Sequence, residues 1–339
     1  MIKKIIAAVA LLIVLVLGYF AYAKYFKSNT GNFSGTEFLY INTGSTYADV
    51  IQVIKENNFV RDLACFEEVA KQMDYPNDIH PGRYELREGM GNYSIISILK
   101  GGKQRPVKLV INKLRTKRDI IRKFASNLEA DSTELEKLFN NNAYLKTFDI
   151  DSNQIQCAIM PNTYELYWNT TADKAFEKIA RTYQHFWTSE RRQKAISLKL
   201  KIVEVITIAS IVEEETNNNE EKPIIASVYL NRLKKGMALG ADPTVKFAVG
   251  DFTLKRILKI HTETHSPYNT YLNTGLPPGP ICTPSEKSID AVLNAASTDY
   301  LFFCAKEDFS GSHNFAATYA AHLLNAKKYQ HALDLRNIK

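Results

Sequence analysis

Cysteine is scarce in this 339-residue sequence, and its four examples, Cys65, Cys157, Cys282 and Cys304, lie far apart. No Cys-x-x-Cys pair occurs, so neither a cysteine zinc site nor a dithiol redox pair is supported. Cys282 with Cys304 is the one disulfide to consider, with buried free thiols as the equal alternative. No Gly-x-Ser-x-Gly elbow and no Gly-rich phosphate loop is present, which removes the usual serine-hydrolase and nucleotide signatures. The one local histidine cluster, His261-Thr262-Glu263-Thr264-His265, is not in His-Glu-x-x-His order. It reads as a strand or loop, and neither a metal nor a cofactor is expected. Internal repeats and low-complexity segments are also lacking.

Long apolar runs are limited to one. Ile5 to Ala23 carries no charge and is flanked by Lys3 and Lys4 before it and Lys24 and Lys27 after it. As a helix rising 1.5 Å per residue it reaches roughly 28 Å, close to the thickness of a bilayer core. Tyr19, Phe20, Tyr22 and Tyr25 cluster at its far end, where interface anchors sit. Ala21-Tyr22-Ala23 would suit a signal-peptide cleavage, but the run is long for one, and an uncleaved anchor is expected. Residues 1–27 then form the cytoplasmic tip and membrane anchor, and residues 28–36, rich in Ser, Thr, Asn and Gly, a tether. The remainder lies outside the cytoplasm, where nucleic acid is not a sensible partner.

The formal charge of +7 is unevenly spread. Lys100 to Lys123 holds ten Lys or Arg against the single acid Asp119, a net +9 that leaves about −2 for the rest. Such a stripe favours an anionic surface, membrane or wall, if it is more than a solvated face.

Past the tether, Phe38 to Ile41 reads as a strand, Thr46 to Asn57 and Phe66 to Met73 as helices, Arg83 to Leu86 as a strand, and Ser94 to Leu99 as a helix. This unit, residues 37–105, is small for a core of its own and is expected to pack on the segment after it. Residues 106–339 begin with a strand at Val107 to Ile111 and helices at Arg118 to Leu128 and Ser132 to Asn141, Asp131 or Ser132 capping the second. Met160 to Trp168 is aromatic and turn-rich, and Thr171 to Arg191 reads as one long helix. A helix from Glu220 to Leu233 has Pro223 in its first turn and stops at Gly236. Gly240 to Thr244 and Gly275 to Pro280 read as turns, Tyr300 to Ala305 as a strand, the surroundings of His313 as a loop, and Ala317 to Leu335 as a helix. The fold class is α+β.

The chain is organised around Ile202 to Thr216, whose first eleven residues include eight Ile, Val or Ala. That is too apolar for a surface helix and too short to span a bilayer, so it reads as a buried helix. It runs into Glu213, Glu214 and Glu215. Mutual repulsion, the negative end of the helix dipole and entry into a core each raise a carboxyl pKa, from about 4.3 toward about 6. Helical spacing sets Glu214 on the polar face of Thr207 and Ser210, toward water. Glu213 and Glu215 both follow apolar stripes, and spacing does not choose between them.

From Ala209 to Thr216, Ala-Ser-Ile-Val-Glu-x-Glu-Thr resembles the active-site stretch of the endolytic murein transglycosylases, the YceG-like family. Ala226 to Leu233, Gly236-Met237 and Asp242-Pro243-Thr244-Val245 resemble that family's next block in order and spacing. Tyr268-Asn269-Thr270-Tyr271, then Gly275-Leu276-Pro277-Pro278-Gly279-Pro280-Ile281, is the most specific match, and His313-x-Phe315 with Thr318 resembles the closing block. Upstream, Pro161 to Tyr164 is similar to a Pro-Asp-Thr-Tyr of the family, and Pro81-Gly82-x-Tyr84 to the end of its LysM-like unit. Two departures stand out: Gly240 where the family commonly has Gln, and Asn162 for Asp.

The resemblance implies a membrane anchor, a small LysM-like α/β unit and a mixed α+β catalytic domain. It implies cleavage of peptidoglycan strands from within, leaving a 1,6-anhydromuramoyl end, at the inner membrane beside the glycan-synthesising machinery. It makes Glu213 the catalytic acid and Glu215 a supporting one, with Asp242, Thr244, Tyr268, Asn269, Thr270, Tyr271, Pro278 and His313 as substrate-binding or supporting residues. One acid is sufficient for such chemistry, because it can protonate the leaving oxygen and then accept the proton of the sugar's own 6-hydroxyl. A two-carboxylate hydrolase would instead need a partner such as Asp242 and would release a reducing end. A non-catalytic glycan-binding scaffold is the alternative from another class.

Overall fold

The computed structural model describes residues 1–336 and divides them into two compact units. Unit 1 comprises residues 1–108, 127–130 and 165–171. It opens with helix α1 (Ile2–Tyr25), long and apolar enough to cross a membrane and with no buried residue along its length. Then come β1 (Thr36–Ile41), α2 (Tyr47–Glu56), α3 (Leu63–Gln72), β2 (Gly82–Arg87) and α4 (Asn92–Lys100). β1 and β2 pair antiparallel with Leu39 opposite Tyr84. Their inward residues meet Val50, Ile54, Phe66, Val69, Ile95 and Leu99 from the helices. The unit therefore has a core of its own, although its length suggested one too small. Alternation along two short strands and one apolar stripe on each of three helices are together enough to enclose it.

The residues expected to form a tether are partly woven into this unit. Ser28 bridges Gly91 and Thr30 bridges Val60. The buried Asn29 amide donates to the Asp62 carbonyl at 2.9 Å and to Asn92 Oδ1 at 2.7 Å. The Asn92 amide in turn donates to the Lys24 carbonyl at 2.9 Å, closing the last turn of α1. Polar composition suggested flexibility, but these amides instead satisfy buried backbone groups.

Unit 2 holds the remaining described residues, and β3 and β4, given with it below, each have two residues in unit 1. In chain order its elements are β3 (Val107–Ile111), α5 (Lys117–Ala125), α6 (Ser132–Asn140), α7 (Asn142–Leu145), β4 (Asn162–Leu166), α8 (Ala172–Phe186) and α9 (Ser189–Ser197). They continue with α10 (Ile202–Glu215), α11 (Lys222–Lys234), α12 (Asp242–Val249), α13 (Lys259–Thr262), α14 (Glu286–Leu293), β5 (Phe302–Ala305), β6 (His313–Ala316) and α15 (Tyr319–Leu335). Asp131 caps α6. The long helix expected from Thr171 to Arg191 breaks into α8 and α9, because Thr188 caps a new helix through the Arg191 N–H. β4 and β6 replace two stretches read as turn or loop, β6 pairing with β5 so that His313 faces Ala305. α12 and α14 replace a turn and an unassigned stretch: Asp242-Pro243 starts the first, and Ser285 caps the second. All four cysteines are free thiols, including Cys282 and Cys304.

α10 is the axis of unit 2. Every residue from Val205 to Val212 is buried, and the helix packs on α9, α11, α12 and α14. Each Ile or Val removed from water here stabilises the fold by about 1.5–3 kcal/mol. Ser210 shows how the apolar rod also carries polar ties. Its hydroxyl donates to the Thr207 carbonyl at 2.7 Å and accepts the Ile281 N–H at 3.0 Å, fixing the end of the Gly275–Ile281 segment against the helix.

Candidate active site

The three carboxylates that end α10 meet three different environments. Glu213 points to the start of α14. One oxygen accepts from Ser285 Oγ at 2.6 Å, Ser288 Oγ at 2.5 Å and Lys222 Nζ at 3.1 Å. The Lys222 side chain is only 5% exposed. Burial pushes the Glu213 carboxyl up, but hydrogen bonds from Ser285 and Ser288 and the charge and hydrogen bond of Lys222 outweigh it, so its pKa lies below the usual value. It also sits at the positive end of α14, which favours the anion. Glu213 is thus held as a carboxylate, with donors all around one oxygen.

Glu214 does not face water as its helical position suggested. It receives both Arg115 nitrogens, Nε at 2.9 Å and Nη2 at 3.0 Å, and Lys113 Nζ at 3.3 Å. The segment after β3 covers the face that helical spacing alone leaves open.

Glu215 points to the other side. Its carboxyl accepts a hydrogen bond from the buried Tyr229 hydroxyl, two turns into α11. Burial pushes its pKa up to about 7; the neighbouring Asp242 charge adds to this, while Tyr229, Lys246 and Arg232 oppose it. The residue is half-buried: protein crowds the carboxyl, yet part of its surface still meets solvent. Unlike Glu213, this carboxyl has the pKa of a group that can give up a proton near neutrality and take it back. The expectation that Glu213 is the acid and Glu215 its support fits these surroundings poorly, for the two roles require the reverse.

Around Glu215 stand several residues singled out from the sequence. Asp242 is exposed at the start of α12 and accepts the Tyr271 hydroxyl at 2.6 Å. Tyr268 packs against Phe247 of α12, ring centres 4.6 Å apart. Thr244, Asn269 and Thr270 are buried and hold the loop rather than line it. Thr244 Oγ1 donates to the Ala241 carbonyl at 2.7 Å and meets Thr270 Oγ1 at 2.8 Å. The Asn269 amide donates to the carbonyls of Thr262 and Thr264 at 2.9 and 2.8 Å. Pro278 is exposed, between the buried Pro277 and Gly279. A Cβ on Gly279 would fall 2.6 Å from the Asn153 carbonyl oxygen, so this turn needs glycine. Gly240 has φ +55, and a side chain there would crowd Arg232, which accounts locally for the departure from Gln. Asn162, the other departure, is exposed on β4.

His313 lies apart from the carboxyl. Its backbone N–H and Nδ1 both meet Glu221, each at 2.9 Å. Phe303 stands edge-on to both His313 and Tyr229, at 5.3 and 6.0 Å, so two rings separate His313 from Glu215. Among the described residues no group of three or more His, Cys, Asp or Glu could hold a metal ion.

Tyr229, Lys222, Ser285, Ser288 and Arg115 were not singled out from the sequence. The polar residues between α10 and α11 signal a helical hairpin, which returns α11 along α10 and brings Tyr229 to Glu215. No local pattern marks Ser285 and Ser288, which arrive from more than seventy residues away.

A family model described as the YceG-like family matches residues 39–328. The endolytic murein transglycosylase of Bacillus subtilis strain 168 is 30% identical over 310 residues, covering 85% of this chain and 83% of that protein. The endolytic murein transglycosylase of Streptococcus pneumoniae serotype 2 strain D39 is 27% identical over 292 residues, covering 77% of this chain and 53% of that protein. This chain therefore spans about half the length of the streptococcal relative. A 2.6 Å crystal structure of a YceG-like protein from Listeria monocytogenes superposes with a TM-score of 0.58 at 25% identity, covering 86% of this chain and 98% of that one.

Proposed function

This chain belongs to the YceG-like family, and on that premise we propose that it is an endolytic murein transglycosylase whose acid is Glu215. The observation that carries the assignment is the pair of environments two residues apart. Glu213 is tied as an anion by two serines and a lysine, whereas Glu215 is held near pKa 7 by burial and Asp242.

In the reaction, protonated Glu215 gives its proton to the glycosidic oxygen between a muramoyl residue and the next sugar. The bond from C1 to that oxygen breaks, and positive charge develops at C1. The 6-hydroxyl of the same muramoyl residue attacks C1 while its proton passes to the Glu215 carboxylate. A 1,6-anhydro ring forms, no water is consumed, and the acid is regenerated. Tyr229 holds the carboxyl in one orientation through both transfers. Burial, with the Asp242 charge adding to it, favours the protonated form of Glu215, and Tyr271 fixes Asp242. Preorganised hydrogen bonds of this kind cost no reorganisation when the charge moves.

The 24 residues of α1 reach roughly 36 Å, enough for a single membrane crossing. We assign α1 as an uncleaved anchor in the cell membrane, with the chain after it outside the cytoplasm and peptidoglycan synthases as neighbours. Residues 37–105 are the LysM-like domain and the residues from 106 onward the catalytic domain in this reading.

Mass spectrometry of muropeptides after digestion of purified sacculi tests the chemistry. Anhydromuramoyl ends within strands are expected from the wild type and not from Glu215→Gln. Reducing ends would make the protein a hydrolase using Asp242, and no new ends at all would leave a binding scaffold.

A further inference from the structure

The basic stripe is divided between the two units. Lys100 and Arg105 belong to unit 1 and pair with Asp74 and Glu85, at 3.7 and 2.8 Å. The later part, in unit 2, lines a groove of about 470 Å³ with Lys113, Arg115, Arg122, Lys123, Asp119 and Phe252 among its walls. Lys113, Arg115 and Arg122 there face two carboxylates, and both carboxylates have other work. Asp119 accepts the Thr116 N–H at 3.0 Å and the Thr116 hydroxyl at 2.7 Å, closing the first turn of α5. Glu214 is shared by Arg115 and Lys113. Arg122 remains 68% exposed, 3.9 Å from Asp119, and Lys113 32% exposed.

Two features relate the groove to the elements that carry the acid. Arg115 is fixed by Glu214, the residue next to Glu215. Its guanidinium lies over the Phe252 ring at 5.0 Å; Phe252 meets Phe247 at 6.3 Å, and Phe247 meets Tyr268 at 4.6 Å. Phe247 belongs to α12, whose first residue is Asp242. A path of aromatic faces therefore runs from the cluster of cations to α12, the helix that also carries Asp242.

Aromatic faces suit sugar rings and peptide planes, but an uncharged sugar gives no use for surplus positive charge. In peptidoglycan, the muramoyl residue whose bond is cleaved also carries a peptide with free carboxylates. We propose that this groove is the subsite for the carboxylate-bearing peptide of the glycan strand, engaged beside the scissile bond by Lys113 and Arg122. The inference rests on the transglycosylase reading. Arg115 acts through Glu214 and Phe252 as a positioning residue.

The full-length wild type and the double variant Lys113→Ala, Arg122→Ala are compared in detergent micelles. The substrates are peptide-bearing strands and the same strands with their peptide carboxylates converted to methyl esters. On peptide-bearing strands the variant should raise KM about tenfold with kcat unchanged, since charge-assisted hydrogen bonds are lost. On the esterified strands it should match the wild type. In a binding arm that needs no turnover, a soluble disaccharide-peptide should bind the wild type about tenfold tighter than its methyl ester, and the variant should not distinguish them. An equal change on both strands, or none on either, overturns the proposal. So does a variant with unchanged kinetics and binding that no longer sediments with phosphatidylglycerol vesicles, which would make a lipid headgroup the occupant. If the wild type makes no anhydro ends on either strand, the transglycosylase reading fails, and the disaccharide-peptide binding still decides the groove.

Discussion

Glu213 and Glu215 are the same residue type, two positions apart on one helix, and the fold gives them opposite properties. At 100° per residue they point about 200° apart, so one meets the start of α14 and the first residue of α11, and the other meets α12 and the middle of α11. Ser285 and Ser288 at the start of α14 and Lys222 at the start of α11 give three donors to a single oxygen and lower the pKa; around Glu215, crowding and a like charge outweigh one phenol and raise it. Proximity in sequence and position near a helix end act on both equally. What separates them is the number of donors each oxygen finds.

The sharpest way to break this comparison is to remove each acid in turn. Glu215→Gln should lower the rate of anhydromuramoyl formation by at least about a hundredfold, the usual scale of general acid catalysis. Its thermal stability should be unchanged or higher. The sign comes from the pKa: a folded value raised to about 7 means that ionising Glu215 costs stability as pH rises from its unfolded value toward and past 7. The gain from Gln should therefore be larger at pH 8 than at pH 5. If activity survives in Glu215→Gln and is lost in Glu213→Gln at equal folded fraction, the assignment is reversed.

Glu213→Gln should act mainly on stability. It leaves Lys222 buried without its counter-charge, and breaking such a pair costs about 3 kcal/mol. The sign is opposite to that of Glu215: a lowered pKa contributes stability above the unfolded value and loses it as pH falls through the folded one. Denaturant unfolding at pH 7 and pH 4 reads both, and the difference between wild type and variant should shrink at pH 4. A variant as stable as the wild type at pH 7 would show that the Lys222 pair is not worth its desolvation.

The pH profile sharpens the contrast further. The wild-type kcat/KM should fall about tenfold per unit above about pH 7, as Glu215 loses its proton. Asp242→Asn removes a charge that raises this pKa, so the falling limb should move to lower pH. Tyr229→Phe removes a hydrogen bond that lowers it, and the limb should move to higher pH. Shifts in the same direction for both variants would contradict the arrangement around Glu215.

The smallest effect concerns Glu214. Glu214→Gln keeps hydrogen bonding to Arg115 but removes the charge of a partly exposed pair, so a loss of about 1 kcal/mol or less is expected, with the acid limb in place. A loss as large as that of Glu213→Gln would mean that Arg115 is a structural anchor of α10 as well as a wall of the groove.

Much of this protein could be read from local patterns. The apolar run that becomes α1, the period of the helices in unit 1, the Asp131 cap and the apolar identity of α10 are set by neighbouring residues and by helix periodicity. Elements decided by distant partners were not legible. Asp242-Pro243 looks like a turn until α12 is seen to pack on α10, and His313 lies in a strand only because β5 accepts it. The polar stretch after α1 reads as a tether until Asn29 and Asn92 are found hydrogen-bonded inside unit 1.

The sequence by itself determined that three carboxylates would end a buried helix, and its motifs resembled one family closely enough to indicate the chemistry. It could not rank those carboxylates, because helix dipole, charge repulsion and apolar spacing are nearly the same for residues two apart. The tertiary structure decided the ranking by bringing Ser285, Ser288 and Lys222 to Glu213, Arg115 to Glu214, and Tyr229 and Asp242 to Glu215. A carboxyl pKa is set within a few ångströms by donors, charge and lost water, and in a folded chain those neighbours come from residues far away in sequence.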